Sequence, residues 1–125
     1  GDPGGYDIVL PDDVIATGGS MIEAATALRQ RGAKNIYAVA PHLGLYKDGK
    51  GVPALEKLAA ANIKVLGTNT IPHEFTDDQL RTIGCVDVSP FVADLILEKS
   101  KGGSISKYFS DEALFKRSNG NGNGY

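Results

Sequence analysis

The sequence predicts an α/β fold, with three layers built on a mainly parallel sheet, and an incomplete one. Three observations carry this. Short apolar runs alternate with segments of helical periodicity, the pattern of βαβ units. Gly, Pro, Asn and Asp mark the junctions, where chains turn. Only four strands can be counted, and the first would lie at an edge of the sheet.

Residues 6–10 are an apolar run, read as a buried strand. Residues 11–19 form a loop. From 20 to 31, Met21, Ala24, Ala25 and Leu28 recur at helical spacing. Gly32 follows as a C-cap, with Arg29 and Arg31 in the last turn, where the helix dipole favours cations. Residues 35–40 are a second strand. A Gly- and Lys-containing loop runs over 41–51, a helix over 52–61, and a third strand over 63–67. Residues 72–78 read as a polar connector and 82–88 as a fourth strand. Residues 90–99 form a helix, with Ser89 as N-cap and Pro90 at the first helical position. A last helical turn is expected over 111–116.

These elements place residues 1–117 in one partial domain. Residues 118–125, a polar Asn-Gly repeat, read as a disordered tail. Gly1 to Gly5 reads as a turn continuing from upstream sequence. Crossovers between parallel strands are right-handed, and ligands sit at the carboxyl ends of the strands. Residues 11–20, 41–51 and 68–76 therefore share one rim.

Composition excludes several classes. The chain of 125 residues is 42% hydrophobic and 22% charged, ordinary for a soluble globular protein. No apolar run has membrane-spanning length and no basic n-region precedes an apolar stretch, so neither a transmembrane helix nor a signal peptide is expected. Thirteen Lys and Arg against 15 Asp and Glu, a net charge of −2, argue against a nucleic-acid partner. Cys85 is alone, which excludes an intrachain disulfide and suits the reducing cytoplasm. Its apolar strand places it in the core.

The chemistry concentrates in Asp12-Asp13-Val14-Ile15-Ala16-Thr17-Gly18-Gly19-Ser20. Glycines let backbone N–H groups approach an anion, and the following helix N-terminus adds positive potential. Thr17 and Ser20 offer hydroxyl donors. Asp12 and Asp13 accept hydrogen bonds from vicinal hydroxyls and attract Mg²⁺. A sugar phosphate needs acceptors at one end and donors at the other, and this loop offers both. It is neither a Walker A loop, since no Lys follows the glycines, nor a GxGxxG dinucleotide loop. His42, at a strand end on the ligand rim, is more simply an ordinary loop residue, and His73 is expected to be solvated. Lys47 and Lys50 read as a solvated loop tip that could steer anions.

The Asp12–Ser20 run resembles the signature of type I phosphoribosyltransferases and of ribose-phosphate diphosphokinases (PRPP synthetases). Downstream motifs favour the diphosphokinases. Gly32-Ala33-Lys34-Asn35-Ile36-Tyr37-Ala38, Thr68-Asn69-Thr70-Ile71-Pro72, Val88-Ser89-Pro90-Phe91-Val92-Ala93 and Ser104-Ile105-Ser106-Lys107-Tyr108-Phe109 are similar to that family's elements, in order. The resemblance implies a phosphoribosyltransferase-type, Rossmann-like fold. It also implies transfer of a diphosphoryl group from Mg-ATP to ribose 5-phosphate, giving PRPP. Ala16, Thr17, Gly18, Gly19 and Ser20 would hold the 5-phosphate. Asp12 and Asp13 would hold the ribose hydroxyls and Mg²⁺, through its waters. Ser104 and Ser106 match a region that binds regulatory phosphate or nucleotide in some synthetases.

The sequence departs from the family at four points. Pro11 replaces an apolar β-former, so the strand loses an N–H donor. Ala16 stands where many synthetases have a third Asp. Pro41-His42 replaces Thr-His, and the loop to Pro53 is longer than usual. The family's N-terminal domain and half of its second are expected before Gly1. No catalytic residue is therefore assigned, inactivity in isolation is expected, and a homo-oligomer or a separate N-terminal half is the expected partner, with ATP or ADP as a further ligand. A nucleobase phosphoribosyltransferase fragment and a non-catalytic regulatory or engineered module are the alternatives.

Overall fold

The computed structural model describes residues 1–45 and 53–110. The chain divides into two compact units, Gly1–Val88 and Ser89–Tyr125. The first contains strands β1 (Ile8–Pro11), β2 (Val14–Ile15), β3 (Ile36–Leu43), β4 (Ile63–Thr68) and β5 (Ile83–Val86), and helices α1 (Gly19–Gln30), α2 (Pro53–Ala60) and α3 (Asp77–Leu80). The sheet runs β1-β3-β4-β5, with β2 also beside β3. Among the described residues these strands pair in parallel, with one isolated antiparallel bridge between His42 and Asn69, so the α/β class and mainly parallel sheet predicted from the sequence are what the chain adopts.

Each crossover moves one strand further in the same direction, so right-handed connections put the helices on one face. The core agrees. Met21 and Ala25 of α1 and Ala54, Leu55 and Leu58 of α2 join Ile36, Ala38, Ile63 and Val65 in one buried cluster. The other face of this unit carries Val9, Leu66 and Val86, 59%, 44% and 52% exposed.

Helix α1 ends where the sequence places its end, by a Schellman arrangement. Gly32 takes φ 85°, its N–H donates to Arg29 O, and Ala33 N–H donates to Leu28 O at 3.1 Å. Arg29 does not serve its own helix. Its guanidinium donates to Ala61 O at 2.6 Å and Asn62 O at 2.8 Å, carbonyls just past the end of α2, where the dipole is negative. Arg31 reaches Gly1 O at 3.1 Å.

The edge beside β3 departs from the sequence reading. Pro11 pairs with Val39 and Val14 with His42, so β1 and β2 are one strand in unslipped register, interrupted at Asp12 and Asp13. These acids lie opposite Ala40 and Pro41. Strand alternation changes phase there on both sides. Along β3 the pattern is buried at Ile36, Ala38 and Ala40, exposed at Pro41 and His42, and buried again at Leu43. Asp12 N–H donates to Val39 O at 2.9 Å and the next rung is His42 N–H to Asp13 O at 3.3 Å. Pro41, between them, has no N–H to give.

Pro11 does not weaken this ladder as expected. The donors of β1's segment that face β3 include Ile8, to Asn35 O, and Asp12. With a two-residue period, the nitrogen of Pro11 faces the open edge, where proline removes no rung. Cys85 is another correction: it is exposed. It lies on an edge strand opposite Gly67, which has no side chain to cover it. The 72–78 connector ends in α3, held by a capping box in which Thr76 Oγ1 accepts from Gln79 N–H and Gln79 Oε1 from Thr76 N–H.

The second unit is described to Ser110. It contains α4 (Ser89–Ser100) and a 3₁₀ turn, Ile105–Tyr108. Phe91 meets Tyr108 and Phe109 edge-on, with ring centroids 6.1 and 6.2 Å apart. The expected helical turn at 111–116, the tail from 118 and the Lys47–Lys50 cluster lie outside the described residues.

Gly67 is buried, and a side chain there would run into Leu43 and the carbonyl of Ala40. Gly67→Ala is expected to destabilise the chain by about 1–3 kcal/mol, read as a lower midpoint in urea denaturation.

Candidate functional site

Asp12 and Asp13 are both exposed. Adjacent residues of a regular strand point to opposite faces, so two neighbouring carboxylates serve one ligand only if alternation breaks. It breaks at these two residues. Asp12 Oδ1 accepts from Asp13 N–H at 2.9 Å, which fixes one carboxylate against the backbone and leaves the other three oxygens for a ligand.

The loop is pinned after the acids. Val14 and Ile15 pair with His42 and Leu43, Leu45 N–H donates to Ile15 O at 2.9 Å, and the Ile15 side chain is buried. The loop expected over 11–19 thus contains the short strand β2, signalled by the apolar pair Val14-Ile15.

Ala16 is half-buried, Thr17 exposed and Gly18 buried. Gly18 is the N-cap of α1 at φ 74°, with no side-chain cap. The first rung of α1 is Ile22 N–H to Gly18 O at 3.0 Å. The N–H groups of Gly19, Ser20 and Met21 precede it and belong to the unpaired first turn. Gly19 and Ser20 are exposed, so donors and the positive end of α1 face outward where an anion can reach them. The two glycines differ. A side chain at Gly18 would meet Leu58 Cγ at 3.0 Å, whereas at Gly19 the only near atom is Thr17 Oγ1 at 3.8 Å. Gly18 is required by the fold; Gly19 keeps the approach open.

The described parts of the predicted rim meet at Asp13, Pro41, His42, Thr68 and Thr70; residues 46–51 lie outside the described residues. His42 is exposed, and its Nδ1 lies 2.8 Å from Thr70 Oγ1. His73 is not solvated as expected: it is half-buried, and its Nε2 lies 2.5 Å from Leu43 O. A carbonyl only accepts, so His73 carries its proton on Nε2. Asn69 ties the ends of β4 and β5 together, donating from Nδ2 to Asp87 Oδ1 at 2.5 Å and accepting from Val88 N–H at 2.9 Å.

Ser104 and Ser106 lie in the second unit, described by itself. Ser104 is the N-cap of the 3₁₀ turn and accepts from Ser106 N–H at 3.3 Å. Its hydroxyl also lies 3.2 Å from that of Ser106. Lys107 pairs with Glu98 at 2.9 Å.

Among the described residues, no group of three or more His, Cys, Asp or Glu could hold a metal. Asp12 and Asp13 as a pair of hard oxygen donors still fit an ion such as Mg²⁺, which keeps most of its waters and takes one or two carboxylates. No helix among the described residues is long and apolar enough to cross a membrane.

Residues 1–110 match the family described as the phosphoribosyl synthetase-associated domain. The chain belongs to this family. The phosphoribosyl synthetase-associated domain is similar here to ribose-phosphate pyrophosphokinases. That of Caldanaerobacter subterraneus subsp. tengcongensis is 39% identical over 111 residues, 88% of this chain and 33% of the relative. That of Deinococcus radiodurans is 33% identical over 113 residues, 88% of this chain and 34% of the relative. The phosphoribosyl pyrophosphate synthase-associated protein 2 of Bos taurus is 36% identical over 91% of this chain and 30% of its own length. A crystal structure of phosphoribosylpyrophosphate synthetase from Mycobacterium smegmatis superposes with TM-score 0.70 at 32% identity, over 82% of this chain and 33% of that one. The chain thus spans about a third of the length of these relatives.

Two measurements check this part of the structure. Gly18→Ala is expected to lose about 1–2 kcal/mol from the left-handed backbone alone, while Gly19→Ala stays within about 0.5 kcal/mol of the parent; urea denaturation of both separates them. The hydrogen bond to Glu98, aided by its charge, holds Lys107 above the ordinary lysine pKa. The folded value exceeds the unfolded one, so the contact is intact at neutral pH and is lost only as pH rises through the alkaline range. An NMR titration of Lys107 in the parent and in Glu98→Gln should show the value fall in the variant.

Proposed function

We propose that this chain is the sugar-phosphate-binding part of a ribose-phosphate diphosphokinase-type protein, taking ribose 5-phosphate or PRPP at Asp12–Ser20. The observation that carries this is the shared interruption of β1 and β2. It presents Asp12 and Asp13 to solvent in the same loop that leads into the first-turn N–H groups of Gly19 and Ser20. The carboxylates would accept from the ribose hydroxyls. The loop backbone of Ala16 to Gly19, the Thr17 and Ser20 hydroxyls and the α1 N-terminus would hold the 5-phosphate. Mg²⁺ would sit at Asp12 and Asp13 through its waters and supply charge neutralisation for the phosphates of ATP.

Diphosphoryl transfer depends on positioning and on cations around the transferred group. Arg29 of α1 and Arg31, its C-cap, are occupied at the far end of the helix, on Ala61, Asn62 and Gly1 carbonyls. In this reading the chain binds the sugar phosphate, and the ATP-holding groups are supplied by a partner or by further sequence. A non-catalytic, synthetase-associated role is the second reading, favoured by the similarity to the bovine associated protein.

Calorimetry with ribose 5-phosphate tests the site. Asp13→Ala is expected to weaken binding about tenfold or more, from loss of charge-assisted hydrogen bonds worth about 1.5–3 kcal/mol each. Gly19→Val should abolish binding without unfolding the chain. Parent-like affinity in both variants would sink the assignment, and turnover of Mg-ATP with ribose 5-phosphate by this chain alone would overturn the division between binding and catalysis.

A further inference from the structure

The segment Thr68 to His73 is far from Asp12–Ser20 in the sequence, yet three of its side chains hold the backbone on which that loop is laid. Pro41 lies opposite Asp13 by register. Its carbonyl accepts from Thr68 Oγ1 at 2.7 Å and from Thr70 Oγ1 at 3.0 Å. With both hydroxyl hydrogens on that carbonyl, His42 Nδ1 is the donor to Thr70 Oγ1. One residue further, His73 Nε2–H donates to Leu43 O. The backbone carbonyl of Pro41 and of Leu43 and the side chain of His42 are thus each held from the β4 side. From the other side of the same three residues, His42 N–H donates to Asp13 O, and Val14 and Ile15 pair with His42 and Leu43.

We propose that Thr70 and His73, with Thr68, are positioning residues for the sugar-phosphate loop, acting through the Pro41–Leu43 extension of β3. The proposal rests on the reading of Asp12–Ser20 as that loop. Its physical basis is the missing donor of Pro41. A strand that continues past a proline loses a rung at that point, and the segment left without it is free to separate from its neighbour. Holding the carbonyls of Pro41 and Leu43 from β4 replaces the lost restraint. The placement of Asp13 is sensitive to it, because binding groups displaced by a fraction of an ångström lose much of their effect.

Thr70 is exposed, so its substitution leaves the core intact. Thr70→Val removes the donor to Pro41 and the acceptor for His42 while keeping the shape. Thr70→Ser keeps the hydroxyl. Two readouts on the full chain are needed: ribose 5-phosphate affinity by calorimetry, and amide hydrogen exchange at His42 and Leu45, whose acceptors are the loop carbonyls of Asp13 and Ile15. Thr70→Val is expected to weaken affinity and to speed exchange at both amides by about tenfold, and Thr70→Ser to restore both. Parent values in Thr70→Val, or equal damage in Thr70→Ser, overturn the proposal. If the parent chain itself does not bind ribose 5-phosphate, the sugar-phosphate reading fails. The exchange data then decide the clamp alone, with serine-rescued acceleration supporting it and unchanged exchange refuting it.

Discussion

The rest of the structure depends on one constraint: two parallel strands must change phase at the same place. On one strand the change falls at Asp12 and Asp13, on the other at Pro41 and His42, with the register kept across both. A strand that turned over alone would send its apolar residues to the wrong face. Turning over together, both return to the core, and Ile15 and Leu43 are 2% and 0% exposed. Gly67 follows from this. Leu43 re-enters the core where a side chain on β4 would otherwise stand, so that position has to be glycine. His73 follows too, since the carbonyl of Leu43 leaves the regular ladder and takes its donor from outside the sheet.

Magnitudes decide which part of the loop would govern the proposed anion binding. The dipole of α1 contributes roughly 0.3–1 kcal/mol to a nearby anion at an exposed site. Each hydrogen bond to a charged oxygen contributes about 1.5–3 kcal/mol, so two backbone donors outweigh the dipole. Loop geometry therefore matters more than helix position, and geometry here is set by Gly18. Its left-handed backbone turns the chain into α1 against Leu58, and the donors of Gly19 and Ser20 face outward as a result. At the other end of the same helix, Arg29 holds the carbonyls after α2, which fixes α1 against its neighbour.

Where local chemistry decides structure, the sequence was sufficient. The periodicity of Met21, Ala25 and Leu28 and the glycine at 32 locate α1 and its end. The strand–acids–glycines–helix order locates the candidate loop. What was not legible depends on neighbours distant in sequence. Pro41 reads as the end of a strand, yet β3 continues to Leu43 because β2 pairs with it and two threonines hold its carbonyl. Cys85 reads as core by its apolar surroundings, but the residue opposite it is a glycine. His73 reads as solvated after a proline, but a carbonyl 30 residues away needs its proton. Helix α3 was legible in principle, through Thr76 and Gln79 at capping-box spacing, and was obscured by the polar residues between them.

Parallel sheets are ordinarily covered on both faces, and among the described residues of Gly1–Val88 the face away from the helices carries exposed apolar side chains. Val9, Leu66 and Val86 lie on it, while every residue that shapes the candidate loop lies elsewhere: Ile15 and Leu43 in the helix-side core, Gly18 against Leu58, Asp13 against His42, and Pro41 under Thr68 and Thr70. The proposed sugar-phosphate reading draws only on the strand interruption and the start of α1, both within this unit. The transfer proposed for the whole protein would need cations and ATP-holding groups brought to the rim by something other than the loop.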